Sequence, residues 1–334
     1  MKIITFFFRK QSVKYQRVTN KRLCLALIFL LLLSACSPTA QPDSVATDTE
    51  NSPVANVEEA PPPFTFLFFS DTQSDPELMD YTGVGDLLAQ AVTGRGTPEL
   101  IIFGGDTVND GGDEDEWRMF RQAAGTSLTD LTTAAAAGNH DAYPVLAEYF
   151  DYPVTAPASP GEGFFYTFSM DSVFFIVLDS NIMGAANQSD ADWLRSELQI
   201  EAARQADWRI AIMHHPMWPV SDIPRDMARS ETMREYFLPV LEANGVELIL
   251  CGHQHVFARS LPMRGEAAAD DGRGIVQIMA ASGDKASYQL GERDFLANSE
   301  SAPNYLRLIA ESDKLTVTAF DGEHRVFDTF QIQK

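Results

Sequence analysis

Five apolar runs in this chain stop in the same way, and that shared ending limits the fold more than any other feature. "FTFLFF" is followed by "SDTQ", "ELIIF" by "GGDTVNDG", "LTTAAAA" by "GNHD", "RIAI" by "MHHP", and "VELILC" by "GHQH". Most of these runs have the length and apolar continuity of a buried strand; the alanine-rich third is the weakest, because alanine has low β propensity. Between the runs lie amphipathic stretches. Residues 76–94 read mostly as helix, as do "EDEWRMFRQAAG", "SDADWLRSELQIEAARQ" with its Asp and Ser caps, and "ETMREYFLPVLEANG", which stops at Gly245. "GFFYTFSMDSVFFIVLDSN" reads as a hairpin, and the tail "YLRLIAESDKLTVTAFDGEHRVFDTFQI" as an antiparallel meander turning at "ESDK" and "DGEH". Alternating strand and helix with a β-rich end predicts an α/β core whose sheets are completed by antiparallel strands.

In open α/β sheets, ligands bind beyond the carboxyl ends of the strands. The five tips would therefore aim Asp71, Asp106, Asn139 with His140 and Asp141, His214 with His215, and His253 with His255 into one crevice. A single Asp after a strand is most often a helix cap, and a single buried His most often a hydrogen-bonded core residue. Five such tips in order are poorly explained that way. "GHQH" is the sharpest of them, since alternate residues of an extended chain share a face and two imidazoles there suit a metal or a proton relay. Mixed carboxylate, amide and imidazole donors fit Mn, Fe or Zn better than Ca.

The N-terminus reads as a separate signal. Residues 1–35 hold seven Lys and Arg, no acid, and an apolar run of 13 residues, "LCLALIFLLLLSA", short of the roughly 20 that span a bilayer. With "LSAC" at its end, the segment resembles a bacterial lipobox, whose cleavage leaves Cys36 for lipidation; an uncleaved anchor helix is the other reading. Residues 36–62 then form a flexible acidic and Pro-rich tether, and residues 63–334 the folded domain. The expectation is an exported bacterial lipoprotein held at a membrane, periplasmic or at the cell surface; Ser37 resembles the outer-membrane sorting residue. Loss of residues 1–35 leaves 18 Lys and Arg against 47 Asp and Glu, a net charge of −29. Such a surface disfavours nucleic acid binding. With Cys36 lipidated, Cys251 is the sole remaining cysteine of the mature chain, so core packing must supply stability without disulfides.

Taken in order, "SDTQ", "GGDTVNDG", "GNHD", "MHHP" and "GHQH" resemble the calcineurin-like metallophosphoesterases, and "LPVLEANGVELILCGHQHVFARS" is similar to the purple acid phosphatase branch. The resemblance covers residues 64–334. It implies an α/β, four-layer αββα sandwich of two mixed β-sheets flanked by helices, with a binuclear metal site at the C-terminal strand ends. It also implies that Asp106 bridges two divalent ions, that Asp71 and His255 bind the first, and that Asn139, His214 and His253 bind the second. His140 would be the general acid and phosphate clamp, oriented by Asp141. The implied activity is hydrolysis of small-molecule phosphomonoesters by attack of a metal-bridging hydroxide. Phosphodiester hydrolysis, of a cyclic nucleotide or another diester, is the alternative, and a surface binding protein that has lost catalysis is a third.

The chain departs from the family pattern twice. Gln73 stands where the first motif usually carries His, and Asn109 where the purple branch carries Tyr. Gln73 either ligates through a neutral oxygen or supports the site without touching a metal; the absence of that tyrosine implies no tyrosinate-to-iron colour. Softer candidates are His215, which contacts substrate or packs under its loop, and Lys285 of "ASGDKASY", a candidate to reach phosphate. Arg259 reads as a structural ion-pair residue and Cys251 as a small buried residue. Trp218 either walls the pocket or packs, and "SDIPRDMARS" is a candidate mobile lid.

Overall fold

The computed structural model describes residues 62–142, 146, 148–150, 164–181 and 186–334. The expected signal, lipidation at Cys36 and the expected tether up to residue 61 lie outside the described residues. Among the described residues no helix is long and apolar enough to cross a membrane.

Strand β1 (Phe64–Phe69), helix α1 (Thr82–Thr93), β2 (Leu100–Phe103), α2 (Glu114–Ala124) and β3 (Thr132–Ala135) form two successive βαβ crossovers, with β1, β2 and β3 parallel. Helix α2 begins where Asp113 accepts hydrogen bonds from the amides of Asp115 and Glu116, which satisfies donors the helix itself cannot. The predicted helix over 76–94 starts only at Thr82. The C-terminal meander, β13 (Asn304–Ala310), β14 (Lys314–Asp321) and β15 (Val326–Gln333), adds antiparallel to β1, giving the sheet order β15-β14-β13-β1-β2-β3.

The second sheet has the order β12-β8-β11-β7-β6-β5-β4. Its parallel centre is β5 (Val173–Val177), β6 (Trp208–Ile212), β7 (Leu248–Cys251) and β11 (Val276–Met279). β4 (Tyr166–Met170), β8 (Val256–Ser260) and β12 (Leu296–Ser301) flank it antiparallel. A two-stranded ribbon, β9 (Met263–Arg264) with β10 (Ala267–Ala268), stands apart.

Side-chain alternation makes this sheet a wall between two cores. Phe175, Ile210, Leu248 and Ile278 join the core shared with the first sheet, whereas Phe174, Ala211, Ile249 and Met279 join a second core beneath helices. Those helices are α3 (Gln188–Glu197), α4 (Glu201–Gln205), α5 (Pro224–Tyr236) and α6 (Leu238–Ala243). On the first sheet, Phe66 meets Phe175 across the sandwich with ring centroids 5.2 Å apart, while Phe103 meets Phe120 of α2 on the other side. The result is the αββα layering expected from the sequence.

Two predicted helices differ in extent. "SDADWLRSELQIEAARQ" divides into α3 and α4, and the helix placed at "ETMREYFLPVLEANG" begins seven residues earlier, at Pro224, and breaks before Leu238, with Pro239 in the first turn of α6. Seven of the ten residues of the candidate lid are thus helix.

Candidate metal centre

The strand tips meet. Asp106, His214 and His253 offer ligand atoms that all lie within 4.8 Å of one another, and so do Asp71, Asp106 and His255. Asp106 belongs to both sets. The first sheet supplies the aspartates and the second sheet the imidazoles, so the centre forms at the mouth of the sandwich.

The backbone is bent to achieve this. Asp71, Asp106, His253 and His255 have φ of 48°, 52°, 77° and 52°, left-handed values that cost side-chain-bearing residues energy and cluster where function demands them. Two glycines admit the close approach: a Cβ on Gly138 would strike the backbone and carboxylate of Asp106, and one on Gly252 would strike Ser70 and the Asp71 carboxylate. Asp71 is held by both oxygens to the His253 amide (3.0 and 2.8 Å) and by Ser70 Oγ at 2.8 Å.

The imidazoles are aimed by backbone carbonyls. His214 Nδ1 lies 3.0 Å from Gly104 O and His255 Nδ1 lies 2.8 Å from Ala286 O. A carbonyl can only accept, so each Nδ1 carries the hydrogen and each Nε2 presents a lone pair to the centre. His214 Nε2 then lies 3.3 Å from Asp106 Oδ2, buried and without a hydrogen bond. Two facing acceptors at that distance need a cation between them, which fits a divalent metal ion. Without one a proton takes its place: burial works to lower the His214 pKa, but the Asp106 charge outweighs it and pushes it up to about 9. Burial works the other way on Asp106, yet His214 holds its carboxyl well below the usual range. His253 Nε2 is also without a hydrogen bond, 3.1 Å from Asp226 Oδ1.

Asn139 follows Gly138, whose amide bonds Asp141 Oδ2, and precedes His140, whose amide bonds Asp106 Oδ1 at 2.8 Å. The turn bearing Asn139 is therefore tied to Asp106 on one side and to Asp141 on the other. Asp141 does not orient His140. Its oxygens accept from the amides of Asp106 (2.8 Å), Thr107 (3.2 Å) and Gly138 (2.8 Å), and burial, then the Asp106 charge, push it up to about 7. The His140 ring is oriented instead by Asn109 O, 2.6 Å from Nδ1.

Lys285 reaches the centre. Its Nζ donates to Gln73 Oε1 at 2.9 Å and lies 3.1 Å from His140 Nε2. Because Nδ1 of His140 faces the Asn109 carbonyl, Nε2 is the acceptor for the Lys285 ammonium. Burial draws the Lys285 pKa below its usual value, against the pull of Asp106 and Asp71. Gln73 Nε2 lies 3.2 Å from Asp106 Oδ2 and 3.3 Å from His255 Nε2.

His215 is buried against the ligand histidines. Only 2% exposed, it bonds Ser180 Oγ and packs its ring 4.1 Å from that of His253. Burial and the neighbouring cationic and imidazole groups hold its pKa well below the ordinary histidine value. Trp218 and Cys251 are core residues, and Arg259 pairs with Asp328 at 2.7 Å. Asn109 turns to Ser74 O and Glu116, not into the centre. Three participants escaped the sequence: Asp226, Glu116 beneath the "VNDG" loop, and Tyr288, whose ring lies 5.6 Å from His253 and 5.2 Å from His255. Glu116 reads as an ordinary acid in the first turn of a helix, Asp226 lies in the segment read as a lid, and no spacing marks Tyr288.

The Calcineurin-like phosphoesterase family matches residues 64–257. An uncharacterized protein of Mycobacterium tuberculosis is 27% identical over 155 residues, 40% of this chain and 29% of that protein. A protein of Arabidopsis thaliana named as probable inactive purple acid phosphatase 9 is 25% identical over 186 residues, 50% of this chain and 28% of that one. The matched stretches thus span under a third of the length of these curated relatives. Among solved structures, the purple acid phosphatase PPD1 of yellow lupin shares the fold, with a TM-score of 0.67 at 13% identity over 81% of this chain and 54% of the other.

Proposed function

Since the chain belongs to the calcineurin-like phosphoesterase family, we propose that it hydrolyses small-molecule phosphomonoesters at a two-ion centre whose shared ligand is Asp106. The observation that carries this reading is the buried face-off of His214 Nε2 and Asp106 Oδ2 at 3.3 Å, beside a second ligand set that uses the same aspartate. Asp71, Asp106 and His255 would hold one ion; Asp106, Asn139, His214 and His253 the other. Divalent ions bound there supply charge that neutralises phosphoryl oxygens and lowers the pKa of water toward 7.

The chain's own residues do the rest. Lys285 and His140, joined at 3.1 Å, form a cationic pair suited to gripping a phosphate dianion and passing a proton to the leaving oxygen. A groove of about 470 Å³ lined by Ser221, Asp222, Ile223, Tyr288, Gln289 and Leu290 adjoins the centre through Tyr288, and its mixture of polar and apolar groups suits an organic leaving group.

A second reading, a binding protein without turnover, rests on Gln73, which turns a donor N–H toward the first ligand set. One experiment separates the two. Metal-stripped protein is reloaded with Mn, Fe or Zn, its metal content measured, and p-nitrophenyl phosphate compared with bis(p-nitrophenyl) phosphate. Faster turnover of the monoester is expected, with Asp106→Asn losing metal and about a thousandfold in rate, several kcal/mol of charge stabilisation. Tight metal uptake with no turnover of either ester would establish the binding protein.

A further inference from the structure

Gln73 has a carboxamide with two different faces, and Lys285 decides which face the centre sees. An ammonium has donors only, so the atom 2.9 Å from Lys285 Nζ must be the carboxamide oxygen. That leaves the N–H₂ end toward Asp106 Oδ2 and His255 Nε2, at 3.2 and 3.3 Å. His255 Nε2 bears a lone pair, because its Nδ1 hydrogen goes to Ala286 O, so both partners are acceptors and the arrangement is fully satisfied. It is also one in which Gln73 cannot ligate a metal, since a carboxamide N–H₂ has no lone pair to give.

The position of Lys285 is not incidental. Its loop is stitched to the tip of β1: the Ser282 amide donates to Ser70 O at 2.7 Å, the Gly283 amide to Asp71 O at 2.8 Å, and the Asp75 amide to Asp284 Oδ1 at 2.6 Å. The lysine is thereby held beside the residue it orients.

We propose that Lys285 is a latch on the first metal site, holding Gln73 in its non-ligating orientation until the ammonium moves onto substrate phosphate. For Gln73 to turn its oxygen toward Asp71, Asp106 and His255, its N–H₂ would have to face Lys285, two donors against each other; the lysine must leave first. His140 Nε2, already 3.1 Å from the ammonium, gives it a second partner that does not depend on Gln73. The two sites are then unequal: His214 and His253 present Nε2 atoms that carry no hydrogen bond, whereas in the other set Gln73 caps His255 Nε2 and gains the freedom to turn its oxygen inward only with Lys285 displaced. This rests on the two-ion reading above.

The test is a titration of metal-stripped protein with Mn(II) or Zn(II), followed by calorimetry and elemental analysis, with no substrate present. Wild type should take one equivalent tightly and a second weakly. Lys285→Met should tighten the second by about tenfold or more, the scale on which outer partners move metal affinity, while raising KM for a phosphate monoester. Gln73→Met and the double variant should show no such tightening, because the ligand to be released is gone. An unchanged or weakened second equivalent in Lys285→Met overturns the latch. So does equal tightening in the double variant, which would assign the effect to the lysine charge alone. Wild type that binds no ion at all would instead remove the two-ion reading, and the latch with it.

Discussion

Asp141 lies one residue beyond His140, yet it serves the loops and not the ring. Its carboxylate is the common acceptor for three amides that place Asp106 and Asn139. Asp141→Ala would bury three donors without partners, at about 1–3 kcal/mol each before water or relaxation recovers part of it. A loss of about 3 kcal/mol in denaturant unfolding of the metal-free protein is therefore expected; unchanged stability would return Asp141 to a role confined to His140. At this scale the motifs were readable because ligands must be Asp, Asn or His and must follow strands. What they hid was direction. The tip "GNHD" names a carboxylate but not its partners, and "ASGDK" names a lysine but not the distance that makes it matter. Asp226 was unreadable for the same reason, since contact with His253 joins positions that no local pattern links.

Helix α5 shows how an element can overturn a residue-level expectation. Gln254, between the two histidines, turns its carboxamide to the segment over 220–226. Its Oε1 accepts from the amides of Val220 and Ser221, and its Nε2 donates to Ser221 Oγ and to Asp226 Oδ2. The segment read as a candidate lid is thus fastened from beneath. Gln254→Ala should raise hydrogen exchange at Val220 and Ser221 by about tenfold, the loss of an acceptor worth about 1–1.5 kcal/mol to each amide. Unaltered exchange there would mean the segment is held by something else. Strands with strong signals, β1 and the meander β13 to β15, were legible from apolar runs and turns. β12 was not: "LANSES" is polar, and it forms a strand only because β8 offers an edge for it to pair with. The break before α6 was written in Pro239, but the helical start at Pro224 was concealed by the polar residues after it.

Across the whole molecule, the two sheets join through an aromatic core and, at one end, through the ligand set. The layering was legible because strand-helix alternation and a β tail leave few other arrangements; the pairing of one sheet with the other was not, since contacts such as Phe66 with Phe175 span more than a hundred residues. Ions that bind only the folded chain should stabilise it, by about 2.7 kcal/mol at a hundredfold excess over Kd. Chelation should therefore lower the unfolding midpoint of wild type and leave Asp106→Asn nearly unmoved; equal shifts in both would place the stabilising ions elsewhere.

The division of ligands between sheets has a mechanical meaning. Aspartates from one plate and imidazoles from the other close on the same space, so an ion seated there would act as a rivet through both. Shearing the plates apart and extracting the rivet would become a single event, with the cation's residence time set by how often the joint yields, not by how quickly water could carry it off.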